Sequence, residues 1–456
     1  MKALFGTDGI RGEAGRFPLD SSTVNAIGFS LASHLANTRH APEIVIGRDT
    51  RESGESIEQA LIEGANRAGA KCLSAGVITT PGVAYLTRAL QADAGVVISA
   101  SHNPYQDNGI KIFAPTGQKL DDSVERLIES DVAANAEQPA VTNASNRSSS
   151  PDLERILREE YLNFLARKIG RGLELQGLTI VVDCANGASS MLAPTLFSRL
   201  GANVIPINAS PDGRNINRDC GSLHIESLQN KVVKERADLG VAFDGDADRS
   251  LFVDAQGKFV DGDATLWVLG KYLQSHGRLK DDTVVATVMS NIGLELALQS
   301  EGMRLVRTDV GDKYVLEELL RRGASIGGEQ SGHIILPELS LAGDGMITVL
   351  CLLRALRESQ KTLAEMTEGF KQYPQILLNV RVREKVPFAE LASVRSEVNE
   401  IEELLSQKGR LLLRYSGTEP LARIMIEGEN QFKIEGYAQK IANAIERELG
   451  AGAPHS

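Results

Sequence analysis

Short apolar runs rich in valine and isoleucine recur along the chain, and several end at a glycine-rich polar loop that precedes a helical pattern. This alternation predicts βα units and an α/β fold with mixed, mostly parallel sheets. In such sheets ligands bind beyond the carboxyl ends of the strands, so the loops are the expected functional region. The predicted strands, each with the loop that follows it, are 44–46 before 47–49, 95–98 before Ser101, 179–182 before 183–187, 241–243 before Asp244, 284–288 before 290–291, and 325–326 before 327–329.

The pattern also divides the chain of 456 residues, which is too long for one ordinary core. A stretch rich in Ser, Asn, Ala and Pro at 136–151 predicts a surface connection, and further boundaries are expected at 254–257 and 372–374. After the last boundary a strand at 375–382, a helix at 388–405, a strand from 411 and a helix at 431–449 indicate a small α+β domain, followed by a disordered tail at 450–456. We therefore predict four domains: 1–150, 151–254, 255–370 and 371–456.

Composition limits the class of protein. A hydrophobic content of 42% and a charged content of 24% are typical of soluble globular proteins. No apolar run approaches the ~18 residues of a membrane helix, and Asp8 comes too early for a signal peptide, so we expect a cytoplasmic protein. Its four scattered cysteines indicate buried thiols rather than disulfides or a zinc site. The net charge of −11 argues against nucleic acid or a membrane surface as a partner but permits a small anionic substrate.

One candidate site is the loop that begins at Ser101 and continues through His102, Asn103 and Pro104. Its bent backbone can turn amides toward an anion, although a serine in an Asx-type turn explains the same residues. A serine hydrolase is disfavoured because the chain has no G-x-S-x-G elbow. His102 is also poorly placed to act as the base for Ser101, because adjacent side chains in an extended segment diverge. Ser99, nearer the strand end, is expected to be structural.

Asp244, Asp246 and Asp248 form a second candidate site, because alternating residues of an extended segment share one face. An EF-hand is excluded, since Arg249 and Ala255 stand where that loop requires Gly and Glu. A solvated acidic turn is disfavoured, because three close carboxylates repel one another without a cation. An all-carboxylate set suits Mg²⁺, with a further oxygen supplied by a phosphorylated serine. Arg249 would then help to neutralise a transferring phosphoryl group.

Two later loops offer weaker signals. Residues 327–333 carry Glu329 and Ser331, which suit neighbouring sugar hydroxyls, although glycine-rich turns with a glutamate are common. Residues 414–420 combine an arginine, hydroxyl side chains and a glycine, which suit a phosphate nest, although a tight turn explains the same spacing. The segment 5–12 lacks the G-x-G-x-x-G spacing and no Walker A motif is present, so ATP is not implied.

Six segments, in this order along the chain, resemble the motifs of the α-D-phosphohexomutase superfamily, and within it the branch of bacterial phosphoglucosamine mutases: FGTDGIRG, ISASHNP, DNGIK, DGDADR, GEQSGH and RYSGTEP. The resemblance covers essentially the whole chain. It implies four domains around a central cleft, of which the first three share one α/β plan. It also implies an isomerase that interconverts glucosamine 6-phosphate and glucosamine 1-phosphate through a phosphoserine and a bisphosphorylated sugar, on the route to cell-wall precursors. A phosphomannomutase/phosphoglucomutase is the alternative, and an inactive phosphosugar-binding protein is a remote one.

The resemblance further implies particular cofactors and residue roles. It implies one Mg²⁺ per chain held by Ser101, Asp244, Asp246 and Asp248, phosphorylation of Ser101, hexose 1,6-bisphosphate as activator, a phosphosugar substrate and a homodimer. The expected catalytic residues are Ser101, Arg11, Lys111, Arg249 and His333, with Lys111 and His333 as acid/base candidates. The expected substrate-binding residues are Thr308, Gly311, Glu329, Ser331, Arg414, Ser416, Gly417 and Thr418. Relatives that act on mannose and glucose phosphates often carry His at the position of Asp312, so this residue favours the glucosamine branch.

Overall fold

A computed structural model of the chain describes residues 4–6, 8–36, 41–135, 150–416 and 419–450. The chain divides into two units. The first unit comprises Met1–Val288 and Val306–Glu368, and the second comprises Met289–Leu305 and Gly369–Ser456. The predicted connection at 136–151 lies outside the described residues except for its last two, and of the predicted disordered tail only Gly450 is described.

The first sheet has the strand order β1-β5-β4-β2-β3. Strand β2 pairs parallel with β3 and β4, whereas β5 pairs antiparallel with β4 and β1. All five residues of β4 are buried, as expected for an apolar strand at the centre of a sheet. The elements of this region are β1 (Ile10–Glu13), α1 (Ser21–Ala36), β2 (Glu43–Arg48), α2 (Gly54–Arg67), β3 (Lys71–Val77), α3 (Thr80–Ala89), β4 (Ala94–Ile98), β5 (Asp107–Phe113) and α4 (Asp122–Asn135).

The second sheet repeats this plan in the order β10-β9-β8-β6-β7. Strand β6 pairs parallel with β7 and β8, and β9 pairs antiparallel with β8. Its elements are α5 (Pro151–Asn163), which a π-helical segment at Phe164–Ile169 continues, β6 (Thr179–Asp183), α6 (Ser189–Arg199), β7 (Asn203–Ile207), α7 (Glu226–Glu235), β8 (Leu239–Phe243), β9 (Ser250–Asp254) and β10 (Phe259–Val260).

The third sheet has the order β12-β11-β13-β14, with β13 parallel to β11 and antiparallel to β14. The elements are α8 (Gly262–Ser275), β11 (Thr283–Thr287), α9 (Ile292–Ser300), β12 (Arg304–Thr308), α10 (Asp312–Arg322), β13 (Gly327–Gly328), β14 (Ile334–Ile335), α11 (Gly345–Ser359) and α12 (Leu363–Met366). Strands β4, β8 and β13 hold equivalent places in the three sheets. The loops that follow them carry Ser101, Asp244 and Glu329, and the shared α/β plan is confirmed.

The fourth sheet lies in the second unit and is entirely antiparallel, with the order β15-β17-β16. Helices α13 and α14 pack together, and α14 lies against the sheet. This is the predicted α+β arrangement, and the last helix has the predicted bounds. The elements are β15 (Gln375–Arg381), α13 (Ala392–Leu405), β16 (Arg410–Tyr415), β17 (Leu421–Glu427) and α14 (Gln431–Leu449).

Several helices that follow the candidate functional loops have an N-cap residue whose side chain accepts a hydrogen bond from a backbone amide of the first turn. Thr79 accepts a hydrogen bond from Gly82 N (3.1 Å) at the start of α3, where Pro81 occupies the first turn. Asp261 accepts from Ala264 N (2.9 Å) at α8, and Asp344 accepts from Ile347 N (3.0 Å) at α11. These caps fix where each preceding loop ends.

The remaining expectations from composition concern membrane helices and thiols. No helix within the described ranges is long and apolar enough to cross a membrane. Cys72, Cys184 and Cys220 are buried free thiols, and Cys351 is half-buried. Burial raises the pKa of Cys72 to about 12, so this thiol is unreactive at neutral pH.

Candidate active site

Ser101 lies buried in the loop after β4, with a positive φ of 50°. Its Oγ donates a hydrogen bond to Asp244 Oδ2 (2.6 Å), which joins the loops of the first two sheets. The amide of Ser101 donates to Ser99 Oγ (2.9 Å), and Ser99 Oγ donates to Asp49 Oδ2 (2.6 Å). Ser99 therefore supports the loop structurally, through hydrogen bonds to Ser101 N and Asp49.

A buried ion pair between Asp49 and Arg51 holds this loop, and sequence reasoning missed it. Arg51 Nε donates to Asp49 Oδ2 (2.9 Å), and both side chains are fully buried. The Arg51 guanidinium also donates to the carbonyls of Ser101 (3.0 Å), Asn103 (2.8 Å) and Pro104. The available signal was the polar loop predicted at 47–49: β2, the parallel neighbour of β4, ends at Arg48, and Asp49 follows it directly.

His102 approaches Ser101 more closely than the sequence suggested. Its Nδ1 lies 3.3 Å from Ser101 Oγ. The expectation that adjacent side chains diverge assumed an extended backbone, but the left-handed conformation of Ser101 turns the two side chains toward each other. Burial, together with Arg249 and Arg11, lowers the pKa of His102 to about 4, so the ring is neutral at pH 7.

The three aspartates after β8 converge on one point. One oxygen from each of Asp244, Asp246 and Asp248 lies within 4.8 Å of the others, and all three side chains are buried. The predicted convergence is present, but a turn produces it rather than an extended segment: Ala247 N donates to Asp244 O (3.1 Å), and Ala247 has a φ of 56°.

The aspartates fit a hard divalent cation. In the part of the chain that the structure describes, Asp246 Oδ1 and Asp248 Oδ1 are buried and have no hydrogen-bond partner. Burial and the charges of Asp248 and Asp246 raise the pKa of Asp244 well above its ordinary value. Buried carboxylate oxygens without a hydrogen-bond donor, and the repulsion between the carboxylates, are what a cation of the Mg²⁺ type would relieve.

Lys111, on β5, faces the same carboxylates. Its Nζ lies 3.1 Å from Asp246 Oδ2, 3.4 Å from Asp248 Oδ2 and 3.5 Å from Asp8 Oδ2. Burial opposes the charge of Lys111, but these carboxylates outweigh it and raise its pKa well above the usual value. Lys111 is therefore an ammonium group at neutral pH.

Two guanidinium groups flank the serine loop. Arg11, on β1, pairs with Asp8, and its Nη1 is 3.4 Å from Asn103 Oδ1. Arg249 follows the aspartates, and its amide donates to Asp244 Oδ1 (3.2 Å). Among the described residues, neither Arg11 Nε nor Arg249 Nε has a hydrogen-bond acceptor, although both are buried. Arg249 Nε lies 3.9 Å from Asp248 Oδ1, beyond hydrogen-bond distance, so both buried donors suit a phosphoryl anion.

The loop after β13 carries the candidate sugar ligands. Ser331 Oγ donates to Glu329 Oε2 (3.1 Å), and Gly262 N at the start of α8 donates to Gln330 O (2.9 Å). A side chain at Gly262 would collide with the carbonyl of Glu329, so glycine allows α8 and this loop to approach closely.

His333 joins this loop to the aspartates. Its Nδ1 lies 3.6 Å from Asp248 Oδ1. Burial opposes protonation, but Asp248 outweighs it and raises the pKa of His333 to about 9.

The other two expected sugar contacts lie in the loop before α10. Thr308 Oγ1 donates to Asp309 O (2.9 Å), and Gly311 (φ 133°) directly precedes α10.

The candidate phosphate loop belongs to the second unit. Ser416 is buried, and its Oγ accepts from Glu419 N (3.3 Å) and from Arg423 Nη2 (3.3 Å). Lys385 Nζ donates to Ser416 O (2.6 Å). Sequence reasoning included Arg414 and missed Arg423 and Lys385, which other segments supply. Gly417 and Thr418 lie outside the described residues.

Comparison with known proteins identifies the class. The phosphoglucomutase/phosphomannomutase family models match the chain at alpha/beta/alpha domain I (residues 2–139), domain II (159–257), domain III (261–373) and the C-terminal domain (377–444). The chain thus belongs to the phosphoglucomutase/phosphomannomutase family and is an enzyme of the mutase type, an isomerase.

Full-length relatives define the branch. The phosphoglucosamine mutase of Solibacter usitatus is 51% identical over 98% of this chain and 99% of its own length. That of Koribacter versatilis is 46% identical (99% and 98% covered), and that of Geobacter metallireducens is 44% identical (99% and 100% covered). Within its family, the chain therefore falls in the branch of the phosphoglucosamine mutases.

Solved structures share the fold. A phosphoglucomutase/phosphomannomutase family protein from Burkholderia thailandensis superposes with a TM-score of 0.78 at 22% identity and 99% coverage of both chains. The N-acetylphosphoglucosamine mutase of Aspergillus fumigatus superposes with a TM-score of 0.63 at 18% identity, covering 97% of this chain and 95% of its own. Both likenesses extend over nearly the whole chain.

Proposed function

We propose that the enzyme interconverts glucosamine 6-phosphate and glucosamine 1-phosphate through phosphorylated Ser101 and a bisphosphorylated sugar. The observation that carries this proposal is the 2.6 Å hydrogen bond from Ser101 Oγ to Asp244, one of three converging buried aspartates. It puts a hydroxyl beside a candidate cation site, as phosphoryl transfer requires. The names of the full-length relatives support an amino sugar as the substrate.

We assign one Mg²⁺ to Asp244, Asp246 and Asp248, with phosphorylated Ser101 as a further oxygen ligand. When bound, this ion would supply positive charge to a transferring phosphoryl group. The buried Nε donors of Arg11 and Arg249, which have no hydrogen-bond acceptor among the described residues, support a role for both residues in binding the equatorial phosphoryl oxygens.

The transfer step can be balanced with the residues of this chain. The bond between phosphorus and Ser101 Oγ breaks, and a bond from phosphorus to the free sugar hydroxyl forms. Lys111 donates a proton to Ser101 Oγ and receives the proton that the sugar hydroxyl loses, so the serine ends as a hydroxyl. The ammonium state of Lys111 supports this role, and we assign the same capacity to His333.

The second half of the reaction is the reverse transfer from the other end of the sugar. The bisphosphate turns over and returns its other phosphate to Ser101. Glu329, Ser331, Thr308 and Gly311 would hold the sugar, and the loop with Arg414, Ser416, Gly417 and Thr418 would bind the phosphate that does not react. A hexose 1,6-bisphosphate would rephosphorylate an enzyme that has lost its phosphate. We further propose a cytoplasmic homodimer.

The first experiment removes the phosphate acceptor. Ser101→Ala should abolish isomerisation of glucosamine 6-phosphate and the uptake of one phosphate seen by intact-mass measurement after treatment with glucose 1,6-bisphosphate. Ser56→Ala is the matched control, because Ser56 is an exposed serine on α2, and it should behave as wild type. Isomerisation by Ser101→Ala would contradict the proposed transfer through Ser101. A wild-type kcat/KM that is higher for mannose 6-phosphate or glucose 6-phosphate than for glucosamine 6-phosphate would contradict the proposed sugar.

A further inference from the structure

Six side chains of the first unit form a closed ring in which carboxylates and basic groups alternate. The members, in order around the ring, are Asp248, Lys111, Asp8, Lys119, Asp312 and His333. The nitrogen–oxygen distances between neighbours, starting with Asp248 to Lys111 and ending with His333 to Asp248, are 3.4, 3.5, 2.8, 2.8, 3.8 and 3.6 Å. The two acid/base candidates, Lys111 and His333, are therefore connected in two ways. On one side both contact Asp248, a candidate cation ligand, and on the other side they are joined through Asp8, Lys119 and Asp312.

Lys119 makes the two shortest contacts of the ring. Its Nζ donates to Asp8 Oδ1 and to Asp312 Oδ1, both at 2.8 Å, and its side chain is three-quarters buried. Asp8 precedes β1, and Asp312 begins α10, so one ammonium group joins two distant segments. Burial opposes the charge of Lys119, but Asp312 and Asp8 outweigh it and raise its pKa.

On one side, Lys119 sets the orientation of Asp8. Because Lys119 binds Asp8 Oδ1, the other oxygen, Oδ2, is directed to Arg11 and to Lys111. Without Lys119, the Asp8 carboxylate would be free to rotate, and the set of charges around Lys111 would change.

On the other side, Lys119 sets the orientation of Asp312. Asp312 Oδ1 accepts from Lys119 and from Lys313 N (2.9 Å), which leaves Oδ2 facing His333 Nε2 at 3.8 Å. Nε2 is buried and has no hydrogen-bond partner among the described residues. The imidazole lies against Gly343, where any side chain would collide with it. His333 Nε2 is thus packed against Gly343 and faces the Asp312 carboxylate, whose orientation Lys119 sets.

We propose that Lys119 is a positioning residue of the mutase reaction, which binds Asp8 and Asp312 together and thereby fixes Lys111 and His333 in their reactive orientations. This inference rests on the proposed function, because the proposed function assigns proton transfer to those two residues. Lys119 itself is expected to affect the chemical step more than substrate binding.

The test compares three variants. Lys119→Met should lower kcat about 10- to 100-fold, with KM for glucosamine 6-phosphate within about threefold of wild type, because small displacements of catalytic groups slow the chemical step. Lys119→Arg should recover most of this loss, since a guanidinium group can also bridge two carboxylates. It also serves as the second variant should Lys119→Met fail to fold.

Lys313→Met is the matched control. Lys313 Nζ binds Asp122 Oδ1 (2.6 Å) and so joins α10 to α4, but it lies outside the ring. Its removal deletes the same charge one residue from Asp312, and kcat should stay within about twofold of wild type because this ion pair is partly exposed and contacts no member of the ring. An equal loss of kcat in Lys119→Met and Lys313→Met would overturn the proposal. It would show that kcat falls whenever a positive charge, or an ion pair to α10, is removed from this region.

A double variant tests the coupling. If Lys119 acts through Asp312, adding Asp312→Asn to Lys119→Met should lower kcat no further than the larger single effect. Additive losses, an unchanged kcat in Lys119→Met, or a change confined to KM would each overturn the proposal. Assays of the wild type separate the proposed sugar substrate from the proposed role of Lys119. If the wild type converts glucose 1-phosphate but not glucosamine 6-phosphate, only the proposed sugar is contradicted. The variants are then compared with glucose 1-phosphate as substrate.

Discussion

Arg414 and Arg423 lie directly opposite each other on the antiparallel strands β16 and β17. Like charges in this position repel each other, and Arg423 Nε is a buried donor without an acceptor in the described part of the second unit. Arg423 Nη2 pairs with Glu419 Oε2 (3.3 Å), but an anion bound at Nε would satisfy this donor and reduce the repulsion between the two arginines, as the proposed phosphate loop requires.

We therefore predict that Arg423→Ala weakens binding of glucosamine 6-phosphate about tenfold, as expected for loss of a charge-assisted hydrogen bond to phosphate. The thermal midpoint of the free enzyme should change little, since losing the contacts of Arg423 with Ser416 and Glu419 is offset by losing the repulsion from Arg414. Calorimetric titration and thermal unfolding measure the two effects. Arg381→Ala, which removes an exposed arginine from the same sheet, should leave binding unchanged. A large loss of stability with unchanged binding would assign Arg423 a structural role.

The buried pair of Asp49 and Arg51 leads to a prediction about stability. Arg51→Met should lower the free energy of unfolding by about 3–5 kcal/mol, because it leaves the carboxylate of Asp49 buried without its partner. Urea unfolding measures the loss. The comparison variant is Arg16→Ala, which breaks an exposed pair with Glu13 (2.7 Å) and should cost at most about 1 kcal/mol. Similar losses in the two variants would contradict this account of the serine loop.

The three aspartates lead to a prediction about the cation. Mg²⁺ at about 100 times its Kd should stabilise the wild type by about 2.7 kcal/mol, and chelation should reverse this effect. Asp246→Asn should raise the Kd for Mg²⁺ at least about tenfold, because it removes a charged ligand. Asp219→Asn changes an exposed aspartate and is the control. Equal stabilisation of both variants by Mg²⁺ would show that the ion binds elsewhere.

Asp344 leads to a prediction about pH. This carboxyl group is buried at the start of α11 and accepts a hydrogen bond from Tyr161 Oη (2.7 Å), and burial raises its pKa to about 6. The ordinary value in an unfolded chain is about 3.9. The folded state therefore binds this proton more tightly, and its contribution to stability is complete below about pH 4 and is lost as the pH rises through about 6.

Asp344→Asn keeps a neutral cap and removes this titration. Relative to the variant, the wild type should lose about 3 kcal/mol of stability between about pH 4 and pH 8, at 1.36 kcal/mol per pKa unit. Urea unfolding of both proteins at several pH values measures the difference. Parallel pH profiles would show that Asp344 ionises in the folded protein as readily as in the unfolded one.

Local pattern was sufficient for much of the fold. Strand β8, for example, is an apolar run that ends at a polar turn, and helix α14 has an amphipathic period and a capping residue, Asn430. Strand β13 was less predictable. The apolar pair at 325–326 suggested a strand, but the strand consists of Gly327 and Gly328, where any side chain would collide with the carbonyls of Val285 and His333.

The candidate site divides in the same way. Ser101 and the three aspartates could be named from the sequence because their residue types, spacing and positions after apolar strands already restrict the chemistry. The turn at Ala247 and the left-handed Ser101 could not, because non-glycine residues adopt such conformations only where surrounding contacts impose them.

By itself, the sequence determined the order of the elements, the α/β class and the residues that carry charge and hydroxyl groups, since these depend on side chains close together in the chain. Only the tertiary structure decided which of those groups meet. Asp49 meets Arg51 under the serine loop, and Lys119 meets Asp312 across 193 positions of chain. The physical reason is that the energy of a buried charge depends on distance and burial in space, and a linear pattern contains neither.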